Sequence, residues 1–232
     1  MMERINGLQR IRDFLGQHDL LTLFKTEHVN QFQLYRLEKG EVLCSEGEEL
    51  EELMILVEGR VKITKTLPSG SSLLLRFNDA LSIMGEVEFV TKKPTSNTVT
   101  SVGECYVIGI PFDLLYEHYY QDPLFLQYIS KYLGHRLYSS SNTAILNALT
   151  KVENRFAGYL IAVNPDQGGT NSEEIRTENL VETAELLGTS YRHLNRVIND
   201  FCKKQMIEKR NGRIFITDLE KLEELADGIK YE

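Results

Sequence analysis

The sequence predicts an α+β chain in three units: a β-roll behind an N-terminal helix, one long helix, and a C-terminal winged helix-turn-helix. Three observations predict it. Short apolar or alternating runs, "FQLYRL", "LMILVEG", "VKITKT", "SLLLRF", "SNTVTS" and "CYVIGI", are separated by turn residues at strand-like spacing. From Pro123 the apolar period lengthens to steps of three and four residues. Near the C-terminus two helical stretches flank Gly188-Thr189, and a hairpin with Asn211-Gly212 at its tip follows.

In chain order, residues up to about Phe24 read as helix, with Leu8, Ile11, Leu15 and Leu20 near one face. The strand runs come next. Their turns fall at Lys39-Gly40, Glu46-Gly47, Glu58-Gly59, Pro68-Ser69-Gly70 and Gly103. After Pro111 the chain reads as helix, and Pro123 marks the start of the long one. Leu126, Ile129, Leu133, Leu137, Ser140 and Ala144 form one stripe on it, and Tyr128 and Tyr132 a second. The first stripe reads as a coiled-coil seam with a second copy of the chain; the alternative is packing on the chain's own roll. Asn164 to Glu174, "NPDQGGTNSEE", is the clearest loop. A helix at about 178–187, a turn, a helix at about 190–204 and the hairpin "MIEKRNGRIFITD" complete the last unit. The boundaries drawn on this basis are 1–115 for the helix and roll, 116–148 for the dimerisation helix, and 149–232 for the winged helix-turn-helix.

The composition narrows the function. The chain has 232 residues, 42% of them hydrophobic, and a mean hydropathy of −0.27. No stretch approaches ~18 uninterrupted apolar residues, so no membrane span is expected. The N-terminus "MMERINGLQRIRDF" is charged at once and lacks the apolar core of a signal peptide. Cys44, Cys105 and Cys202 are too few and too far apart for a disulfide framework, a zinc site or an iron–sulfur cluster, and a reducing cytoplasm suits them. His18, His28, His118, His135 and His193 each have the chemistry of a haem ligand, but lone histidines are read here as structural or surface groups. No metal site and no cofactor are expected. No nucleophile–base pair or phosphate loop points to an enzyme.

Net charge is −8, which argues against a nonspecific nucleic-acid binder. The charge is uneven, however. Between Gly188 and Ile216 stand seven lysines and arginines against Asp200 and Glu208, a local excess of five. In the segment "LLGTSYRHLNRVINDF", Leu187, Leu194, Val197, Ile198 and Phe201 form an apolar face. Tyr191, Arg192, His193, Asn195 and Arg196 crowd the other. A helix of this kind lies in the major groove of double-stranded DNA and presents its N-terminal side chains to base edges. Arg192 and Arg196, four apart, can each give two parallel hydrogen bonds to guanine O6 and N7. Thr189 and Ser190 at the helix start suit phosphate, as do Lys203 and Lys209 farther on.

The whole chain resembles the CRP/FNR family of bacterial transcription regulators. "EKGEVLCSEGEELEELMILVEGRVKI" and "IMGEVEFV" carry the match in the roll, and "HRL" and "ENRFAGYL" carry it around the long helix. "GTSYRHL" and "GEVEF" resemble the YeiL-type branch. The resemblance implies a cyclic-nucleotide-binding-type roll, a homodimer joined along the long helix, and a winged helix on a pseudo-palindromic operator. It also implies contact with RNA polymerase if the protein activates. On the DNA-reading helix the family's usual Arg-Glu-…-Arg pattern becomes Tyr191, Arg192 and Arg196, so a different half-site is expected. In nucleotide-binding relatives a Gly-Glu pair takes the ribose, and Gly85 and Glu86 occupy it here. An Arg-Ser pair takes the cyclic phosphate; Ser96 and Asn97 stand there instead. Ser140 and Ser141 align with the pair that contacts adenine. Lys92 and Lys93 are near but read as solvated. Burying a phosphate without its cation costs several kcal/mol in order of magnitude. The expectation is an effector other than cAMP, or none.

A rival reading is a ligand-binding signalling module that acts by protein contact. The missing phosphate arginine and the basic wing favour the DNA-binding regulator.

Overall fold

The computed structural model describes residues 2–5, 7–66, 72–162, 180–227 and 229. The turn expected at Pro68-Ser69-Gly70 and the loop expected at Asn164–Glu174 lie outside them. The chain divides into two compact units, Met1–His135 and Arg136–Glu232.

The first unit is a roll of two antiparallel sheets. One has the order β1-β2-β9-β4-β7, built from β1 (Glu3–Ile5), β2 (Gln33–Leu37), β4 (Glu52–Glu58), β7 (Ile83–Met84) and β9 (Cys105–Pro111). The other has the order β3-β8-β5-β6, from β3 (Val42–Cys44), β5 (Arg60–Thr66), β6 (Ser72–Asp79) and β8 (Thr98–Ser101). The unit also holds α1 (Leu8–Gln17), α2 (Glu86–Thr91) and α3 (Phe112–His118), and α4 (Pro123–Leu149) begins in it. Leu53 to Val57 of β4 are all buried, which explains why that run is continuously apolar and not alternating. β5 alternates, with Val61 and Ile63 inward and Lys62 and Thr64 half-exposed. One core gathers Phe14, Leu15, Phe24, Phe32, Ile55, Phe89, Ile108 and Phe125; another gathers Leu37, Leu56, Val61, Met84 and Val107.

Three expectations are corrected. The N-terminal stretch is not helical throughout. Glu3–Ile5 is a strand, because its backbone completes the edge of β2 with Arg4 opposite Tyr35. The helical region after Pro111 is broken at Asp122, whose Oδ1 accepts from the Leu124 and Phe125 amides at 2.9 and 3.0 Å and caps α4. The stripe on α4 also divides. Ile129 is buried in the roll core, with Leu133, Tyr128 and Tyr132 packed beside it. The apolar roll therefore takes the face that Phe125 and Ile129 define one turn apart. Leu126, Leu137, Ser140 and Ala144 remain exposed, as do Tyr138, Ile145 and Leu149.

The second unit holds the rest of α4, α5 (Val152–Ala162), α6 (Leu180–Leu186), α7 (Tyr191–Lys203), the hairpin β10 (Ile207–Arg210) and β11 (Arg213–Ile216), and α8 (Leu219–Ala226). Its core joins Phe156 and Leu160 of α5, Leu180 and Ala184 of α6, Leu194, Val197, Ile198 and Phe201 of α7, Ile207 and Ile214 of the hairpin, and Leu222 of α8. At the hairpin tip Asn211 and Gly212 have φ of 50° and 72°. Two consecutive left-handed residues are what a two-residue turn needs, and Asn-Gly adopts them at low cost. Among the described residues no helix is long and apolar enough to cross a membrane.

Candidate functional site

The α7 helix starts cleanly. Gly188, at φ 60°, turns the chain out of the α6 end, and the Ser190 Oγ accepts from the His193 amide at 3.2 Å. That N-cap leaves the Ser190 hydroxyl proton free to donate outward. Thr189 Oγ1 lies 3.3 Å from His193 Nδ1. The helix is strongly two-faced: Leu194, Val197, Ile198 and Phe201 are buried, while Tyr191, Arg192, Arg196 and Lys203 are exposed. His193 and Asn195 are half-buried. At 3.6 residues per turn Arg192, Asn195, Arg196, Asn199 and Lys203 share the outer face. Asn199 is exposed there too, a position outside the set expected from sequence.

The pairing of cations separates the basic residues into two sets. Lys204 is held by Asp200 at 2.7 Å and Arg210 by Glu208 at 2.5 Å. Arg192, Arg196, Lys203 and Lys209 have no ion pair among the described residues. Among the described residues their charge is unspent, so it is available to an anionic partner.

Arg155 holds this element from beneath. It is 3% exposed, a guanidinium inside the unit's core. Its Nε and Nη2 donate to the Leu187 carbonyl at 3.0 and 2.8 Å. Its Nη1 donates to the carbonyl of Asn147 at 3.2 Å and to that of Thr150. One side chain thus ties the turn before α7 to the last turn of α4. In the sequence Arg155 is one polar residue within "ENRFAGYL". Nothing in a linear pattern says which carbonyls will converge on it.

The candidate effector residues fall in different settings. Gly85 has φ 89° and a Cβ there would stand 2.9 Å from the Glu52 carbonyl, so the position needs glycine. Glu86 follows it, 1% exposed at the start of α2. Ser96 is exposed and Asn97 half-buried; the Asn97 Nδ2 donates to Ser96 Oγ at 2.9 Å. Thr95 ties this loop down through the Ser45 carbonyl and the Glu48 backbone. The cation beside the loop is Lys65, which the sequence reading missed. Its Nζ donates to the Ser96 carbonyl at 2.6 Å and pairs with Glu46 at 2.5 Å. Lys92 lies over the Tyr116 ring at 4.9 Å, and Lys93 is exposed. Ser140 and Ser141 lie exposed on α4 in the second unit.

Of the histidines, His28 is buried, stacked on His118 at 4.3 Å between ring centroids, with its Nδ1 2.8 Å from the Tyr119 hydroxyl. Burial first, then the His118 charge, holds its pKa below the usual value. Cys44 and Cys105 are buried free thiols, and burial pushes the Cys44 thiol up to about 12. Among the described residues no cluster of three or more metal-ligating side chains occurs.

Two family models match the chain. The cyclic nucleotide-binding domain model matches residues 34–120, and the Crp-like helix-turn-helix model matches residues 154–225. The chain is 25% identical to the regulatory protein YeiL of Escherichia coli O157:H7 over 203 residues, 88% of this chain and 90% of that one. It is 26% identical to the CRP-like cAMP-activated global transcriptional regulator of Mycobacterium tuberculosis over 195 residues, 83% of this chain and 87% of that one. A CRP-family transcriptional regulator of Thermus thermophilus superposes with a TM-score of 0.66 at 23% identity, over 85% of this chain and 98% of that one. With a cyclic-nucleotide-binding-type roll and a Crp-like helix-turn-helix following one another in a single chain, this protein belongs to the CRP/FNR family and is a DNA-binding transcription regulator.

Proposed function

We propose that the protein acts as a homodimer in the cytoplasm, binding a pseudo-palindromic operator through α7 and the β10–β11 wing. The observation that carries this reading is the set of cations without an ion pair among the described residues, Arg192, Arg196, Lys203 and Lys209, on and beside the outer face of α7. Arg192 and Arg196 read base edges, with Tyr191, His193 and Asn195 alongside. Thr189, Ser190, Lys203 and Lys209 meet phosphate. Residues 1–115 sense, 116–148 dimerise and 149–232 bind DNA. Exposed Tyr138, Ile145 and Leu149, at steps of seven and four, support a seam on α4 with a second copy. Two-fold symmetry then sets the half-sites ~34 Å apart. The protein works by binding and not by catalysis, and as an activator it would also touch RNA polymerase.

The effector is not cAMP, or the protein has none. Gly85 and Glu86 keep one half of the nucleotide cradle. Ser96 and Asn97 replace its phosphate-binding half, and the adjacent Lys65 is already neutralised by Glu46. Ser140 and Ser141 stand for the adenine contacts. The Mycobacterium relative is named for cAMP activation and YeiL is not; their near-equal identities leave "GTSYRHL" and "GEVEF" as the support for the YeiL-type branch.

Genome-wide footprinting of the tagged protein tests the central reading. It should return two half-sites in inverted orientation, one helical turn apart. Recovery of no enriched sequence, or of single unpaired half-sites, would overturn it.

A further inference from the structure

Arg76 faces the interior of the roll. It stands opposite Ile63 across the β5–β6 pair, and Asn78 stands opposite Val61. Ile63, Val61 and Asn78 are all buried, so this register carries the Arg76 side chain inward. The Arg76 Nε donates to Asn78 Oδ1 at 3.1 Å. Burial holds its pKa below the usual arginine value, and the nearby Tyr132 phenol opposes this only in part. No carboxylate pairs with Arg76 among the described residues. Three other arginines of the unit have a carboxylate or a ring against them. Arg36 grips Glu104 at 2.5 Å, Arg60 grips Asp79 at 2.6 Å, and Arg10 lies over the Tyr106 ring at 3.9 Å.

We infer that Arg76 anchors an anion site inside the roll, which takes the phosphate or carboxylate group of a small metabolite. A guanidinium presents five N–H donors in a planar fork that fits both groups, and here one is committed to Asn78. A half-buried cation with no counter-charge among the described residues weakens the fold, and a bound anion relieves that penalty. The loop around Ser96 offers an anion much less, because Glu46 already occupies Lys65. The site also touches the joint between roll and helix. Tyr132, on the first half of α4, accepts from the Ile83 amide at 2.7 Å and donates to the Ile83 carbonyl at 3.1 Å. Ile83 lies two residues before Gly85. An anion on Arg76 therefore bears on the phenol that pins α4 to β7, which is where a signal to the helix would start. This last step rests on reading the roll as the sensor; the anion site itself does not.

The test is thermal unfolding of the full-length protein at constant ionic strength, titrated separately with orthophosphate, pyrophosphate, AMP, cAMP and citrate. At least one probe should raise the Tm by several degrees in a saturable way, and whether a phosphate or the carboxylate does so identifies the ligand class. Arg76→Gln should abolish that rise and Arg76→Lys should weaken binding at least tenfold, while Arg36→Gln keeps it. If Arg76→Gln does not fold, the Nε–H resonance of Arg76 in arginine-labelled native protein gives the same answer by moving with the effective probe. Absence of any saturable response, or an equal response in Arg76→Gln, overturns the proposal. Operator affinity is measured in parallel. An Arg76-dependent rise that leaves DNA binding unchanged keeps the anion site and refutes the sensor role of the roll.

Discussion

Replacing Arg155 with methionine removes a buried guanidinium and keeps most of its apolar length. Three carbonyls lose their donor: Leu187, which receives two hydrogen bonds, Asn147 and Thr150. A buried carbonyl left without a partner costs about 1–3 kcal/mol, and the bonds of a charged donor stand at the upper end. Against this, the desolvation cost of the guanidinium itself is recovered. The net loss is therefore set at ~3–5 kcal/mol, a large part of what a domain of this size has to spare. For a unit of this length each kcal/mol moves the Tm by roughly 4–8 °C, so the second unit's transition should fall by at least about 12 °C. Calorimetry of the full chain reads this directly, with the roll transition as internal reference. Arg155→Lys, which keeps one charge but not the fork, should fall between the two. Below the melting transition, Arg155→Met should also loosen operator binding, because the Leu187 carbonyl fixes the turn that aims α7. A drop of under 3 °C would mean that water or a shifted backbone satisfies these carbonyls, and the account of the turn would be wrong.

Arg192→Ala and Arg196→Ala should each cost ~1–3 kcal/mol and relax one operator position in a selection experiment; unchanged base preference would remove that arginine from the reading set. Lys203→Ala and Lys209→Ala should weaken all sequences alike and reduce the salt slope by about one each, whereas Lys204→Ala and Arg210→Ala, already paired to Asp200 and Glu208, should change it less. Tyr138→Glu combined with Ile145→Glu should give monomers in sedimentation; persistence of the dimer would place the seam elsewhere. Calorimetry should show no micromolar binding of cAMP or cGMP, and micromolar cAMP binding by the unmodified protein would mean that a cation other than the missing arginine serves the phosphate. Because His28 titrates below 6.5 when folded, the unfolded chain takes up its proton first, so this contribution to stability is present above about pH 6.5 and is lost as pH falls from there towards the depressed folded value. His28→Asn should flatten the Tm profile in that window; an unchanged slope would assign it to other groups.

Local chemistry made part of this legible. Asn211-Gly212 names its turn, Ser190 its cap and Pro123 its helix start, since each acts through its own backbone. The apolar face of α7 follows from period alone. Strands of two or three residues, such as Glu3–Ile5, Val42–Cys44 and Ile83–Met84, are too short to show a period and exist because a neighbour pairs with them. The division of the α4 stripe depends on where the roll surface meets the helix, which Ile129 does not announce. Arg76 reads as an ordinary polar residue in "SLLLRF", and only register shows that it points inward. The pairing of Lys204 with Asp200 follows helix spacing and that of Arg210 with Glu208 follows strand spacing, so each needs its element to be known first.

That internal pairing has a consequence for how the regulator finds its operator. Each phosphate a protein neutralises releases counterions and contributes about 0.9 to the salt slope. With Lys203 and Lys209 as the backbone contacts, the proposed dimer has about four such contacts and a slope of roughly −3.6 from them, against about −10 for a strongly cationic repressor. Random chromosomal DNA, which offers phosphate and no matching bases, therefore holds it weakly, and a body of net charge −8 is repelled besides. The protein should spend much of its search as freely diffusing molecules with short sliding episodes. Its occupancy at the operator would then follow its copy number closely, with little of the pool stored on the rest of the genome.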